Sequence, residues 1–416
     1  MEGKKSILSV FLSELYNIEE SQILLGYGGE DILKQAVHYF LTEDKTNKTI
    51  LIPKFSWWYY KSIADEVSGR ALQYPLYEDG DTFKYDFHTI KEMVEHEKPK
   101  VILIASPNNP TGNGLTPEEL DTLLADIPAY TTVVVDEAYA SFVSADASYI
   151  RKLINKYPNL IISRTLSKFY GLPGLRMGFG FISKELERFI KYSNKYLGYN
   201  RISEDLAIAA LKSDTHYRNI AHMMNEDRTH YEAEIGSLPG FKVYRSVANF
   251  ILIKYPIELK EALQKAFAEQ SYKIKFMNEP DINTHLRITL GRPEQNRIVI
   301  DTIKKDCHTM KAIILAAGIA SRLRPLTDTQ PKCLLKIGKR CLLERTMDAL
   351  ISNNIKEFII VTGYRQQQII DFLQKRYTTT KHNVHIQRTL CINQQHLLFM
   401  AYCPADNKRR HPTLGQ

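Results

Sequence analysis

The chain of 416 residues has no cysteine before residue 307, and its five cysteines, Cys307, Cys333, Cys341, Cys391 and Cys403, include no pair at metal-site spacing. A disulfide framework and a zinc site are therefore not expected, no metal ligand set is proposed, and a reducing, cytoplasmic setting fits. Long hydrophobic runs are missing too: apolar stretches such as that around Val133–Val135 fall far short of a bilayer, so no membrane association is expected. The opening MEGKKSILSVFLSELY has no small-residue cleavage site and is interrupted by Glu14. It reads as an amphipathic helix with Leu8, Phe11 and Leu15 on one face, not as a signal peptide. Internal repeats and low-complexity linkers are absent. The net charge is +8, but no basic helix concentrates it, so phosphorylated small molecules are expected as partners and nucleic acid is not.

What the sequence does contain is alternation. Apolar stretches at Ile23–Leu25, Thr49–Pro53, Val101–Ala105, Val133–Val135 and Leu160–Ser163 predict strands. Helical patterns near Asp31–Leu41, Trp57–Glu66, Phe87–Glu95, Pro117–Leu124 and Tyr149–Lys156 lie between them. This predicts an α/β fold, a mainly parallel sheet with helices on both faces, in which ligands sit at the carboxyl ends of the strands. A helical block over 184–238 and strands near Asn249–Ile253 and His285–Thr289 predict a smaller α+β domain. The expected division is a large domain over about 20–205 and a small one over about 206–308.

The strand ends carry the chemistry. After Leu160–Ile162 come Ser163, Arg164, Thr165 and Ser167 around Lys168, and Gly171, Pro173 and Gly174 then force a loop that returns Arg176. Hydroxyls, a lysine and an arginine together suit a phosphorylated ligand that also needs an amine. A lysine crowded by other cations and partly desolvated becomes a nucleophile towards carbonyls. Pyridoxal 5′-phosphate (PLP) asks for both. After Leu25, the turn GYGGED offers the N–H groups of Gly29 and Glu30 at a helix N-terminus, where a phosphate is favoured. The prolines of SPNNPTG hold Asn109 towards a ligand oxygen. In DEAYASF, Asp136 stands at the end of an apolar strand, where a carboxylate is costly unless it meets a cation. A protonated pyridine nitrogen would serve.

Taken together, these four stretches resemble the fold-type I, class I/II PLP-dependent aminotransferases, most closely the histidinol-phosphate branch, over about residues 10–306. The resemblance implies the PLP-transferase fold and PLP as cofactor. It implies that Lys168 forms the Schiff base and moves the proton, and that Asp136 pairs with the pyridine nitrogen. Asn109 and Tyr139 would bond the ring 3′-oxygen, while Gly29, Glu30, Thr165, Ser167 and Arg176 would hold the phosphate. Phe55 in PKFSWW would stack on the ring, with Trp58 as the second choice. Arg287 in HLRITLGRPE would receive the substrate's carboxylate or phosphate, with Asn249 of VANF close by. The family's first segment carries a tyrosine that reaches into the neighbouring subunit of a homodimer. This chain begins where that segment ends, so part of it is expected to be missing.

At Met310 the texture changes to MKAIILAAGIASRLRPLTDTQPKCLL. An apolar strand enters a small-residue loop at Ala317 and Gly318, with Arg322 and Lys332 supplying positive charge for a triphosphate. The stretch resembles the start of a sugar-phosphate or phosphocholine-type nucleotidyltransferase, a partial Rossmann-like α/β domain over 310–388, with Ala320 where the family usually has a second glycine. From about Thr389 the pattern collapses. Codons can be chosen for Leu390–Gln416 that, read one nucleotide out of step, spell a family-like continuation, so 389–416 is expected to be an out-of-frame tail, and the second domain is expected to be truncated and inactive. The function expected overall is transamination of a small amino acid or phosphorylated amine. Decarboxylation of a phosphorylated amino acid and an inactive remnant with residual nucleotide binding are the alternatives.

Overall fold

Apolar strands followed by amphipathic helices dictate the architecture of the first part of the chain. In the computed structural model, residues 6–43, 45–195, 198–307, 311–352, 355, 357–377 and 383–388 are described. The chain divides into two units, Met1–Cys307 and His308–Gln416. Unit 1 begins with helix α1 (Ile7–Tyr16), strand β1 (Ile23–Gly26), α2 (Gly29–Glu43), β2 (Thr49–Pro53), α3 (Tyr59–Asp65) and β3 (Arg70–Tyr74). A hairpin of β4 (Leu76–Asp79) and β5 (Thr82–Tyr85) follows, then α4 (Phe87–Glu97), β6 (Val101–Ala105) and α5 (Pro117–Ala125). Next come β7 (Thr132–Asp136), α6 (Ser148–Lys156), β8 (Leu160–Thr165) and β9 (Gly178–Ile182).

Hairpin apart, these strands form one seven-stranded sheet in the order β1-β9-β8-β7-β6-β2-β3. Only β9 runs against the others, antiparallel to both β8 and β1. Strands β2, β6 and β7 are buried at every residue, as a sheet covered on both faces requires. Alternate side chains serve two cores. Leu103, Val134 and Ile161 pack with Ile32, Val37 and Ile63, from α2 and α3. Ile102, Val135 and Ile162 pack with Leu8, Ile90, Leu120 and Leu153, from α1, α4, α5 and α6. Each such fully buried aliphatic side chain contributes roughly 1.5–3 kcal/mol.

The remainder of unit 1 comprises α7 (Glu187–Ser193), α8 (Arg201–Lys212), α9 (Asp214–Ile235), β10 (Lys242–Tyr244), β11 (Phe250–Lys254), α10 (Lys260–Glu269), β12 (Lys275–Phe276), β13 (His285–Thr289) and α11 (Pro293–Cys307). Its four strands make an antiparallel sheet in the order β10-β11-β13-β12. The division expected at residues 205–206 falls inside α8.

One expectation is corrected, and one strand was not foreseen. Helix α1 does form, but it buries Leu8 and Leu12, an i, i+4 pair, while Leu15 is 51 % exposed. Beyond the loop that returns Arg176, the chain forms a strand, β9, that the sequence did not predict. Its glycines hid it, and close packing explains them. A Cβ at Gly178 would lie 2.2 Å from the Gly28 carbonyl carbon, and one at Gly180 would lie 2.7 Å from the Ile162 oxygen.

Unit 2 contains β14 (Lys311–Ala316), a hairpin of β15 (Lys336–Ile337) and β16 (Arg340–Cys341), α12 (Leu342–Ser352), β17 (Glu357–Thr362), α13 (Gln366–Tyr377) and β18 (Asn383–Arg388). Strands β14, β17 and β18 form a parallel sheet. Phe358 and Ile360 pack under Met347, Ile369 and Leu373 of the two helices, whereas Ile313 and Leu315 are 63 % and 62 % exposed. The expected out-of-frame tail, 389–416, lies outside the described residues.

Candidate active site

Strand β7 delivers Asp136 at its carboxyl end, in register with Ala105 of β6 and Ser163 of β8. The carboxylate is buried, accepting at Oδ2 from the Tyr60 hydroxyl (2.6 Å) and at Oδ1 from the Ala138 N–H (3.0 Å). Burial pushes its pKa up, while the Tyr60 and Ala138 hydrogen bonds and the charge of Lys168 pull the other way. Tyr139, three residues on, is buried with its ring edge-to-face on Phe250 at 5.2 Å. Desolvation raises its pKa to about 12, against the pull of Arg287, so the phenol keeps its proton at neutral pH.

Lys168 follows β8, its ammonium 5.8 Å from the centroid of the Tyr139 ring. The residue remains accessible, yet its pKa is lowered, first by desolvation and then by Arg287, with Asp136 opposing. Arg287, on β13 of the smaller sheet, lies over the Phe250 ring at 5.3 Å and donates from Nη1 to Asn109 Oδ1 at 2.5 Å. Its Nε is buried without a hydrogen-bond partner. Asn109 thus has its carbonyl oxygen engaged and its amide N–H groups left to donate. Asn249 precedes β11, where its carbonyl accepts from the Leu290 N–H at 2.9 Å.

A second cluster forms where α2 begins. Gly28 takes a left-handed φ of +89°, and a Cβ there would lie 2.9 Å from Arg176 Nη2. A Cβ on Gly29 would lie 3.4 Å from each of the Arg164 oxygen, Ser163 Oγ and Thr165 Cβ. Thr165 Oγ1 meets Ser167 Oγ at 3.0 Å and accepts from the Ser167 N–H at 3.1 Å. Arg176 is pinned by donating to the carbonyls of Tyr27 (2.9 Å) and Pro173 (3.1 Å), with the Glu30 carboxylate 3.9 Å away. Helix N–H groups, two hydroxyls and a guanidinium are therefore gathered near the start of α2, the arrangement that a phosphate favours.

Other predicted residues are placed less directly. Phe55 is buried, its ring edge-to-face with Phe83 at 6.0 Å and its carbonyl accepting from Asn108 Nδ2 at 2.6 Å. Trp58 is 66 % exposed. Arg164 takes no part in the cleft. Although it sits between Ser163 and Thr165, its side chain turns away from the cleft into a buried pair with Glu137 (2.8 Å), joined by Tyr149 and Tyr16. Strand alternation was the available signal, since neighbours of Ser163 and Thr165 point to the opposite face. Tyr60 was missed because nothing in WWYY distinguishes one aromatic from the next.

In unit 2, Ala317 and Gly318 follow β14, and the Ala317 carbonyl accepts from the Tyr364 N–H at 3.2 Å. Arg322 and Lys332 are exposed. Ala320 adopts a φ of +50°, which accounts for a glycine preference at that position.

The geometry fits PLP. A buried carboxylate faces the lysine, a protonated phenol and an amide donor stand beside it, and an anion cradle lies at the helix N-terminus. Residues 5–303 match the family model described as aminotransferase class I and II, and residues 311–396 match that of nucleotidyl transferase. Histidinol-phosphate aminotransferase of Ruminiclostridium cellulolyticum is 34 % identical over 300 residues, covering 71 % of this chain and 80 % of that protein. The Bacillus subtilis enzyme of the same name is 32 % identical over 300 residues, with 72 % and 81 % covered. The crystal structure of histidinol-phosphate aminotransferase from Sinorhizobium meliloti, in complex with PLP, shares the fold with a TM-score of 0.64 at 21 % identity, covering 72 % of this chain and 80 % of that one. The chain thus belongs to the class I and II aminotransferases, a family of PLP-dependent transferases.

Proposed function

We propose that unit 1 transfers an amino group between a small amino acid and a keto acceptor, with a phosphorylated amine of the histidinol-phosphate kind as one substrate. The observation carrying this reading is the facing of Lys168 and Asp136 within reach of Arg287, in a chain 34 % identical to a histidinol-phosphate aminotransferase. When bound, PLP supplies an electron sink for the substrate's α-carbon. The chain's own residues do the rest. Gly29, Glu30, Thr165, Ser167 and Arg176 hold the phosphate; the amide of Asn109 and the phenol of Tyr139 donate to the ring oxygen; Phe55 lines the ring side. Asp136 holds the pyridine proton. Lys168, its amine neutralised more readily than an ordinary lysine's, would take the proton from the substrate's α-carbon and deliver it to the carbon two atoms along, across the nitrogen.

Arg287 receives the substrate's anionic group. Its unpartnered Nε and its Nη1, now on Asn109, suit a bidentate carboxylate or phosphate. A homodimer is part of the proposal, since the family completes its site across subunits. Nucleotide binding at Ala317, Gly318, Arg322 and Lys332 of unit 2 is likewise proposed. The test is spectroscopic. Adding PLP is expected to give a visible absorption band that borohydride bleaches while fixing the cofactor to the protein, and Lys168→Ala should abolish both. A band unchanged in that variant would overturn the assignment. Product analysis then distinguishes the chemistry: keto acid supports transfer, and carbon dioxide would replace it with decarboxylation.

A further inference from the structure

Nothing in the family comparison assigns a role to Tyr60, yet it is the closest partner of Asp136. Its hydroxyl donates to Oδ2 at 2.6 Å inside a fully buried pair, and its ring is anchored in the core beside Ile63, Ala64 and Ile52. We propose that Tyr60 is a positioning residue that keeps Asp136 ionised and orients the carboxylate towards the cleft. The inference rests on the reading of Asp136 as a site residue, but not on PLP being bound.

The direction of the bond is fixed. Burial and the neighbouring carboxylate hold the Tyr60 phenol protonated, so towards an ionised Asp136 it donates. A buried carboxylate would otherwise take up a proton to escape desolvation, and each hydrogen bond that favours the anion delays this. Among the described residues, Asp136 has two donors, the Ala138 N–H on Oδ1 and Tyr60 on Oδ2. With these bonds made, the carboxylate is held in one rotamer and its remaining lone pairs are left for a ligand. The other titratable groups facing it are Lys168, which favours the anion, Glu137, which opposes it, and the phenols of Tyr85 and Tyr139. Of these described groups, Tyr60 alone combines direct contact with full burial.

The consequence reaches Lys168. Asp136 as an anion raises the lysine's pKa, and loss of that charge lets desolvation and Arg287 act alone. Tyr60→Phe keeps the ring and deletes the donor. In the full-length protein without PLP, infrared spectra at neutral pH should gain a protonated-carboxylic-acid band in Tyr60→Phe that wild type lacks. The band should vanish in the double variant Tyr60→Phe/Asp136→Asn. The pH midpoint for acetic-anhydride labelling of Lys168, followed by mass spectrometry, should shift to lower pH in Tyr60→Phe, with no further shift when Tyr60→Phe is added to Asp136→Asn. An unshifted midpoint with no new band overturns the proposal. So does an equal shift in the Asp136→Asn background, which would mean that Tyr60 acts through packing. Tyr60→His, which retains an N–H donor, provides the second variant: if Tyr60→Phe does not fold, recovery of the wild-type midpoint in Tyr60→His supports the proposal, and a midpoint shifted to lower pH overturns it. Failure of PLP to bind, by contrast, would reject the functional reading and leave these measurements intact.

Discussion

Lys168 carries two opposing neighbours, Arg287 and Asp136, and their balance sets when its amine is neutral. Removing the cation favours the ammonium, so Arg287→Leu is expected to raise the lysine's pKa and move the onset of PLP attachment to higher pH. Removing the carboxylate does the reverse, and Asp136→Asn should move the onset down. Rates of cofactor attachment across pH check both signs, and a shift in the same direction for both variants would contradict the pairing. Behind the site, Glu137 and Arg164 are 4 % and 6 % exposed, so the loss of one partner strands a charge in the core. Glu137→Gln is expected to cost about 3–5 kcal/mol, whereas the apolar pair Glu137→Leu with Arg164→Met should cost less than either single change. Denaturant midpoints decide this; a single change costing under about 1 kcal/mol would show the pair to be solvated. At this scale the sequence singled out polar residues at or just beyond the ends of apolar strands, Asp136 at the end of β7 and Lys168 three residues past β8. It was silent on Tyr60 and Glu137, whose partners lie far along the chain and leave no local pattern.

Among elements, the antiparallel return of β9 presses Gly178 against the Gly28–Gly29 turn that begins α2. Backbone meets backbone there, so no side-chain rotation relieves a clash. Gly178→Ala is expected to destabilise unit 1 by about 2–4 kcal/mol and to weaken inorganic phosphate and PLP binding together. Thermal melting and equilibrium dialysis measure the two losses, and an intact melting temperature would refute the packing argument. Periodicity had located the parallel strands, because β2, β6 and β7 are unbroken apolar runs buried on both faces. It failed for β9, where glycines serve contact with neighbouring backbone and carry no hydrophobic signal. The exposed and half-buried strand β3 and the hairpin of β4 and β5 escaped for a related reason, being edge or satellite elements with polar faces. Helix α1 was placed, but its buried face was displaced by part of a turn.

For the whole molecule, the cluster from Gly29 to Arg287 belongs entirely to unit 1. A chain ending at Cys307 is therefore expected to bind PLP with affinity within about twofold of the full chain, given that no proposed PLP ligand is removed. Fluorescence titration of both forms checks this, and a tenfold loss would require a contribution from the second unit. Unit 2 has its own small core and helices on one face of its sheet, while Ile313 and Leu315 on β14 remain exposed.

The join between β8 and β9 has one more consequence. Lys168 and Arg176, the proposed amine and the proposed phosphate anchor, both lie in the stretch 166–177 between two adjacent antiparallel strands. Local bonds close that stretch, from the Leu166 N–H to the Met177 carbonyl at 3.3 Å and from the Leu172 N–H to the Leu166 carbonyl at 3.0 Å. Asp136 and Asn109 reach the same place only through parallel crossovers. Bringing the ends of a short loop together costs little chain entropy, whereas each crossover must order a helix before its strand can pair. In refolding, the spacing between the lysine and the arginine can thus be set by a single hairpin, ahead of the strands that bring the carboxylate and the amide.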